Sequence, residues 1–434
     1  MVRWPTSLPL SLPACCSRKA RPAPSPRPPF PLRALPSLWP PQKPLQLMGH
    51  SRPITIVKYN ADGDLLFTAS KEASSGGVQN LCLWLVETGE RIGTYEGHTG
   101  AVYSLDVTKD SKYLLTGSAD STARVWEALT GRLLATVQLK GPCHAVAWAE
   151  GEREFAVTSN KFMSHDAQVC VYGFNPDADA EALVSPAPRL VFIDSASGSV
   201  NYTKAAWMPA NDGLVLGMDN GRLRIVDATG AGAVRAEWAA PHTMSITSMC
   251  FNDTKTLLVT GSKDRSATLW DVAELVPEAG AAGAKGSPSA VRNRYVVDVP
   301  VNGVALSSFK DHLILGGGQE ARDVTTSGSA GKFEARFYDL VLAAELGRVK
   351  GHFGPINTLA FAPDGWGFCS GGEDGFVRLH KLDADYIRLG EGDDLDDPSL
   401  TTALSDGTYE QLEKEEEEEL AKGKGQEAAG GGGS

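Results

Sequence analysis

Three times in this chain a histidine is followed 28 residues later by a tryptophan or a second histidine: His98 by Trp126, His242 by Trp270, and His352 by His380, where an imidazole stands in the tryptophan position. A turn acid lies six residues before each ring, as Asp120, Asp264 and Asp374. A buried indole or imidazole without a hydrogen-bond partner costs roughly 1–3 kcal/mol, so such residues come as a set. In the first unit the set is His98, Thr116 or Ser118, Asp120 and Trp126; in another it is His242, Thr260 or Ser262, Asp264 and Trp270. Residues arranged in this way hold a structural unit together and are not a catalytic site. His50 to His98 is 48 residues, His98 to His242 is 144, three times that interval, and His242 to His352 is 110, two intervals of 55. The count that fits these intervals is seven units.

The pattern resembles a WD repeat, whose blade opens with Gly-His and closes with Trp-Asp over about 40–45 residues. The fold expected is therefore all-β, a seven-bladed WD-repeat β-propeller over residues 43–389, between a disordered Pro/Arg-rich extension at 1–42 and an acidic low-complexity tail at 390–434. Alternating apolar runs broken by turns such as Asn60-Ala61-Asp62-Gly63-Asp64 support strands. Blade one runs from His50 to Trp84, 34 residues, its extra length falling in the Gly/Ser stretch 71–80. Blades three and four lose the landmarks, with Asn220 and Val226 at the turn-acid and tryptophan positions of blade four, so packing is expected to carry them. The stretch 278–290 reads as a flexible low-complexity loop; its Gly-Ala-Lys-Gly-Ser lacks the residue order of a phosphate-binding loop. Blade seven has three strands before Asp383, and residues 43–48 form a strand with no local partner. That strand is expected to complete blade seven and latch the ring, which leaves only short, protected edges.

Charge and composition narrow the function. Residues 1–61 carry nine Lys and Arg and no acid, residues 391–434 carry a net −11, and the intervening body carries −10 of the total −12. A body this acidic is a poor phosphate binder, so no direct nucleic-acid contact is expected. No run of 18 apolar residues points to a membrane span. The seven cysteines are scattered without a C-x-x-C, which argues for a reducing compartment and against a zinc site. Catalytic, cofactor and metal signatures are missing from the sequence, and the blade pattern claims His50, His98, His242 and His352. The Gly316–Ala321 loop, Gly-Gly-Gly-Gln-Glu-Ala, is the exception: Gly317 and Gln319 belong either to a loop shaped for a partner or to a structural glycine turn.

From Pro300 to His380 the segments PVNGVALS, LGGGQEARDVTT, GKFEARFYD, GRVKGHFGPINTLAFAPDG and SGGEDGFVRLH are similar to the subunit I family of eukaryotic translation initiation factor 3. Upstream, GDLLFTASK, GERIGTYEGHTGAV, TGSADSTARVW and TGSKDRSATLWD resemble the same family in the same order. The resemblance implies a non-catalytic cytoplasmic scaffold that docks the C-terminal segment of subunit b, and subunit g, and so supports 43S pre-initiation complex assembly and scanning, meeting the 40S subunit indirectly. It implies no cofactor. Within that frame Asp271 and Asp298, flanking the junction of blades five and six, are candidate rim contacts to basic partner residues, and each also reads as a solvated turn residue. The rival class is a WD-repeat adaptor in a signalling or ubiquitin-ligase complex, which would be expected to add a helical module or a basic pocket.

Overall fold

The computed structural model describes residues 43–71, 80–178, 182–193, 200–230, 232–239, 241–275, 284–285, 288–318, 333–382 and 386. Their strands form seven sheets, each built on four antiparallel strands. Blade 1 comprises Ile54–Tyr59, Leu65–Ser70, Leu81–Leu85 and Arg91–Thr94, and blade 2 comprises Val102–Val107, Tyr113–Ser118, Thr122–Glu127 and Leu133–Gln138. Blades 3 to 6 repeat the plan, with innermost strands Val146–Trp148, Tyr202–Trp207, Ile246–Phe251 and Val301–Leu306. Blade 7 takes Ile356–Phe361, Gly367–Gly372 and Val377–Lys381, and its fourth strand is Leu45–Leu47 from the other end of the chain. Leu45 pairs with Leu379 and Leu47 with Val377. The first strand of the fold thus closes the ring, as the unpartnered 43–48 stretch requires.

Sequence periodicity reappears as backbone geometry. In six blades the pairing of the inner two strands slips at the second inner residue, between Ile54 and Ile56, Val102 and Ser104, Tyr202 and Lys204, Ile246 and Ser248, Val301 and Gly303, and Ile356 and Thr358. Such bulges add local twist, which a narrow, steeply twisted blade needs. One backbone bond recurs in every blade: the N–H after the second strand donates to the carbonyl just before the inner strand. Its donors are Lys71, Ala119, Asn160, Asp219, Lys263, Gly318 and Glu373, at 2.8–3.1 Å.

The core lies between neighbouring blades, and each apolar cluster joins residues of two successive sheets, as Phe67, Leu83 and Tyr95 of blade 1 meet Val102, Leu114 and Trp126 of blade 2. The Thr-Gly-Ser signature follows from this packing. A Cβ on Gly117 would stand 2.6 Å from Cys143 Sγ, and one on Gly261 would stand 2.6 Å from Val304 Cγ1, both in the next blade. The 278–290 stretch is not wholly loop. Ala284–Lys285 adds a short parallel strand to blade 4, pairing with Ala236 and Glu237, so its sheet has five strands. Among the described residues no helix is long and apolar enough to cross a membrane.

Candidate interaction surface

Strand alternation gives the ring two faces. The upper face carries the connections from second to third strand and from each blade to the next; the lower face carries the other two.

The relay residues lie at the upper face. In blade 2, His98 Nδ1 is 2.9 Å from Asp120 Oδ2 and Nε2 is 2.7 Å from Thr116 Oγ1, while Trp126 Nε1 donates to that same hydroxyl at 2.9 Å. A consistent chain of donors runs from the indole to the threonine, from the threonine hydroxyl to the imidazole, and from the imidazole N–H to the carboxylate. Asp120 also accepts from Thr122 Oγ1 at 2.6 Å and from the amides of Thr99 and Thr122 at 3.0 Å. Burial pushes the Asp120 carboxyl up, but the bonds from His98 and Thr122 outweigh it and hold the carboxyl far below its usual range. His98 moves down because burial disfavours its charged form more than Asp120 favours it.

Blade 5 repeats the set, with His242 3.2 Å from Asp264 and 2.8 Å from Thr260, and Trp270 donating to Thr260 at 3.0 Å. In blade 7, His352 lies 3.0 Å from Asp374 and 2.7 Å from Ser370, and His380 Nε2 reaches Ser370 at 3.3 Å. His380 stacks flat on Phe368 with ring centroids 4.4 Å apart, and burial takes its pKa down to about 3. Blade 1 keeps His50 and Trp84 on the Thr68 hydroxyl at 2.7 and 2.8 Å. Each of these five histidines is thereby committed to the scaffold.

Blade 4 is not held by packing alone. Asn220 serves the turn-acid position by accepting the Arg222 amide at 3.1 Å, and buried Arg224 bonds Glu237 at 2.9 Å. Val226 is fully buried at the tryptophan position. Blade 3 does rely on rings, with Trp148 edge-on to Phe155 and Phe174 at 5.3 and 4.9 Å. Sequence reading also missed Arg378, whose guanidinium bonds Asp374 at 3.1 Å. An Arg four residues past the turn acid, repeated as Arg124 after Asp120, was the available signal.

The candidate rim acids separate. Leu257 pairs with Asp271 at one end of the third strand of blade 5, whereas Ser266, at the other end, pairs with Val296. Asp271 therefore sits at the lower face and Asp298, two residues beyond Val296, at the upper, so they do not share one contact patch. Each has an internal partner. Arg292 Nε donates to Asp271 at 3.0 Å and draws its carboxyl below the usual range. Asp298 pairs with the buried guanidinium of Arg336 while its own side chain stays 57% exposed. Gly316 to Gly318 have packing reasons. A Cβ on Gly316 would meet Leu359 of blade 7 at 2.7 Å, one on Gly317 would meet the Pro300 carbonyl at 1.9 Å, and Gly318 has φ +143°. Gln319 lies outside the described residues.

On the lower face, large apolar side chains are exposed at the ends of blades 6 and 7: Phe309, Val341, Leu342 and Trp366. Beside them a cavity of about 130 Å³ opens between Asn252–Thr254 of blade 5 and Leu306–Asp311 of blade 6. Large apolar side chains exposed on one face are a feature of interaction surfaces.

A family model described as EIF3I matches residues 42–390. The chain is 38% identical over 353 residues to eukaryotic translation initiation factor 3 subunit I of Scheffersomyces stipitis, a match covering 80% of this chain and 95% of that protein. It is 38% identical over 346 residues to the Xenopus tropicalis protein of that name, covering 80% and 98%. Against the Drosophila grimshawi protein identity is 36% over 346 residues, with the same coverage. Seven blades, the strand that closes them and the span of these matches agree, and the chain belongs to the eukaryotic translation initiation factor 3 subunit I family.

Proposed function

We propose that this chain is a non-catalytic scaffold subunit of eukaryotic translation initiation factor 3 in the cytoplasm, which docks the C-terminal segment of subunit b, and subunit g, and thereby supports 43S pre-initiation complex assembly and scanning. The observation that carries this reading is the family match, which spans the whole closed ring. The side-chain chemistry supports it: the relay histidines, the residues best suited to proton transfer, have ring nitrogens held by Thr, Ser and Asp within the blades. Contact with the 40S subunit is indirect, through the other subunits, and the acidic body leaves nucleic acid to them.

A helical partner segment suits the lower rim, where apolar side chains of blades 6 and 7 flank acidic positions of blade 5. Asp271 lies on that side and Asp298 does not. Charge reversal at Asp271 should weaken binding of a subunit b C-terminal peptide about tenfold or more, measured by titration calorimetry with the thermal midpoint as a folding control. Reversal at Asp298 should leave that affinity unchanged. Equal losses at both positions, or none at Asp271, would remove the lower-rim assignment.

A further inference from the structure

The seams between neighbouring blades are not all tied alike. On the channel side, the second and third residues of the inner strands bond across most seams to the next blade. Thr55 Oγ1 donates to Val102 O and Thr247 Oγ1 to Val301 O, each at 2.6 Å, while Asn302 Nδ2 reaches Ile356 O at 3.2 Å and Asn357 Nδ2 reaches Ile54 O at 3.0 Å. Ser104, Ser248 and Thr358 accept the amides of Val146, Val304 and Val57 at 3.2–3.3 Å. Between blades 4 and 5 the same two positions are used differently. Thr203 Oγ1 donates to Gly217 O of its own sheet at 3.1 Å, and the third residue is Lys204, whose ammonium has no lone pair to accept an amide. These two blades are joined by apolar packing, with Trp238 edge-on to Trp270 at 5.7 Å, and at the lower face by a 3.4 Å bond from Lys255 Nζ to Trp207 O. Apolar contact is non-directional and fixes a seam less sharply than hydrogen bonds do.

On the outside, this seam carries a connection of its own. The chain between the third and fourth strands of blade 5 leaves as the short helix Val272–Leu275, and Asp271 Oδ1 accepts the Ala273 amide at 2.9 Å at its start. Ala284–Lys285 then pairs in parallel with Ala236 and Glu237 of blade 4, and the chain returns through Pro288–Ala290 to the fourth strand of blade 5, Val291–Val296. Both roots of this connection are fixed. Leu275 and Ala290 are fully buried in the apolar cluster that contains Ala236 and Trp238, and Ser289 Oγ donates to Glu274 at 3.0 Å. Among the described residues the other six sheets end at their fourth strand.

We propose that this connection is a strap that clamps blade 5 to blade 4 from the outside, at the seam where the channel-side bonds seen elsewhere are replaced. An outer strand presents a row of unpaired N–H and C=O groups, so a short strand delivered by the neighbouring blade finds partners there. With both roots in blade 5 and its clip, Ala284–Lys285, on blade 4, the strap spans the seam, and the two sheets separate only when the clip breaks. The strap acts whether or not subunits b and g dock.

The test is hydrogen exchange of the full chain, read by mass spectrometry, in wild type and in a variant carrying Ala284→Pro and Lys285→Pro, which removes both backbone donors of the clip. In the variant, exchange should rise about tenfold in Val234–Trp238 and in the inner strands on either side of the seam, Tyr202–Trp207 and Ile246–Phe251. It should keep the wild-type rate in Val377–Lys381 of blade 7. A rise confined to Val234–Trp238 would show a clip that covers an edge without holding the seam, and a rise spread evenly around the ring would show general destabilisation. Either result overturns the proposal, as does no rise at all. The unmutated chain gives a second reading that needs no substitution. Val234–Trp238 should exchange about tenfold more slowly than Leu133–Gln138, the fourth strand of blade 2, beyond which no further strand is described. Equal rates in these two strands overturn it as well.

Discussion

At the scale of single residues, the hydroxyl of Thr116 is the keystone of blade 2, because Trp126 and His98 both depend on it. Thr116→Val keeps the volume and strands two buried polar groups, each costing ~1–3 kcal/mol, so the expected loss is about 2–6 kcal/mol in urea denaturation. An unchanged midpoint would show that the relay contributes nothing to stability. The histidines also set a pH dependence. His144 and His380 have folded-state pKa values of about 4 and about 3, below the ordinary 6.5. Between those limits the unfolded chain binds more protons, so their contribution is present above pH 6.5 and is lost as pH falls through 6.5 toward 4 and 3. The depressed carboxyl of Asp374, at about 2, works in the same direction at lower pH, its contribution disappearing as pH falls from about 4 through 2. Denaturation free energy should therefore fall from pH 7 to pH 4, and His380→Phe should flatten part of that slope. A slope unaltered by this substitution would contradict the buried, neutral state of His380.

At the scale of elements, ring closure rests on a three-residue strand. Leu47 is buried among Trp84, Val377 and Leu379, and Leu45 and Leu47 pack on Gly89 of blade 1. Leu47→Ala should cost about 2–5 kcal/mol. It should also raise hydrogen exchange first in Val377–Lys381, whose outer edge it uncovers, and exchange that rises evenly around the ring would show that the latch is no local closure. This element was legible in the sequence because a strand ahead of blade one and a blade missing its last strand demanded each other. The three regular relays were legible for a similar reason: His, Asp and a closing Trp or His recur at fixed spacing. Blade 4 was not, since Arg224 and Glu237 find each other across strands and leave no short-range pattern. Nor were Gly316 and Gly317, whose constraints come from Leu359 and Pro300, residues set against them only by the fold. Strand direction alone could have separated Asp271 from Asp298, because a third strand ends on the face opposite to the one where a fourth strand ends.

At the scale of the whole molecule, the ring is a platform whose polar groups are largely spent on its own blades, with apolar side chains left exposed on the lower rim. A scaffold has this distribution, with side chains satisfied internally and apolar surface reserved for partners. The proposed role stands or falls on docking to subunits b and g. The most direct measurement is recovery of the full tagged chain from cytosolic extract, with mass spectrometry of the retained proteins before and after a wash at high salt. The account predicts that subunits b and g are retained together and persist through the wash in wild type, and that Asp271 reversal depletes subunit b. Retention of a ligase or receptor complex without either subunit would contradict it.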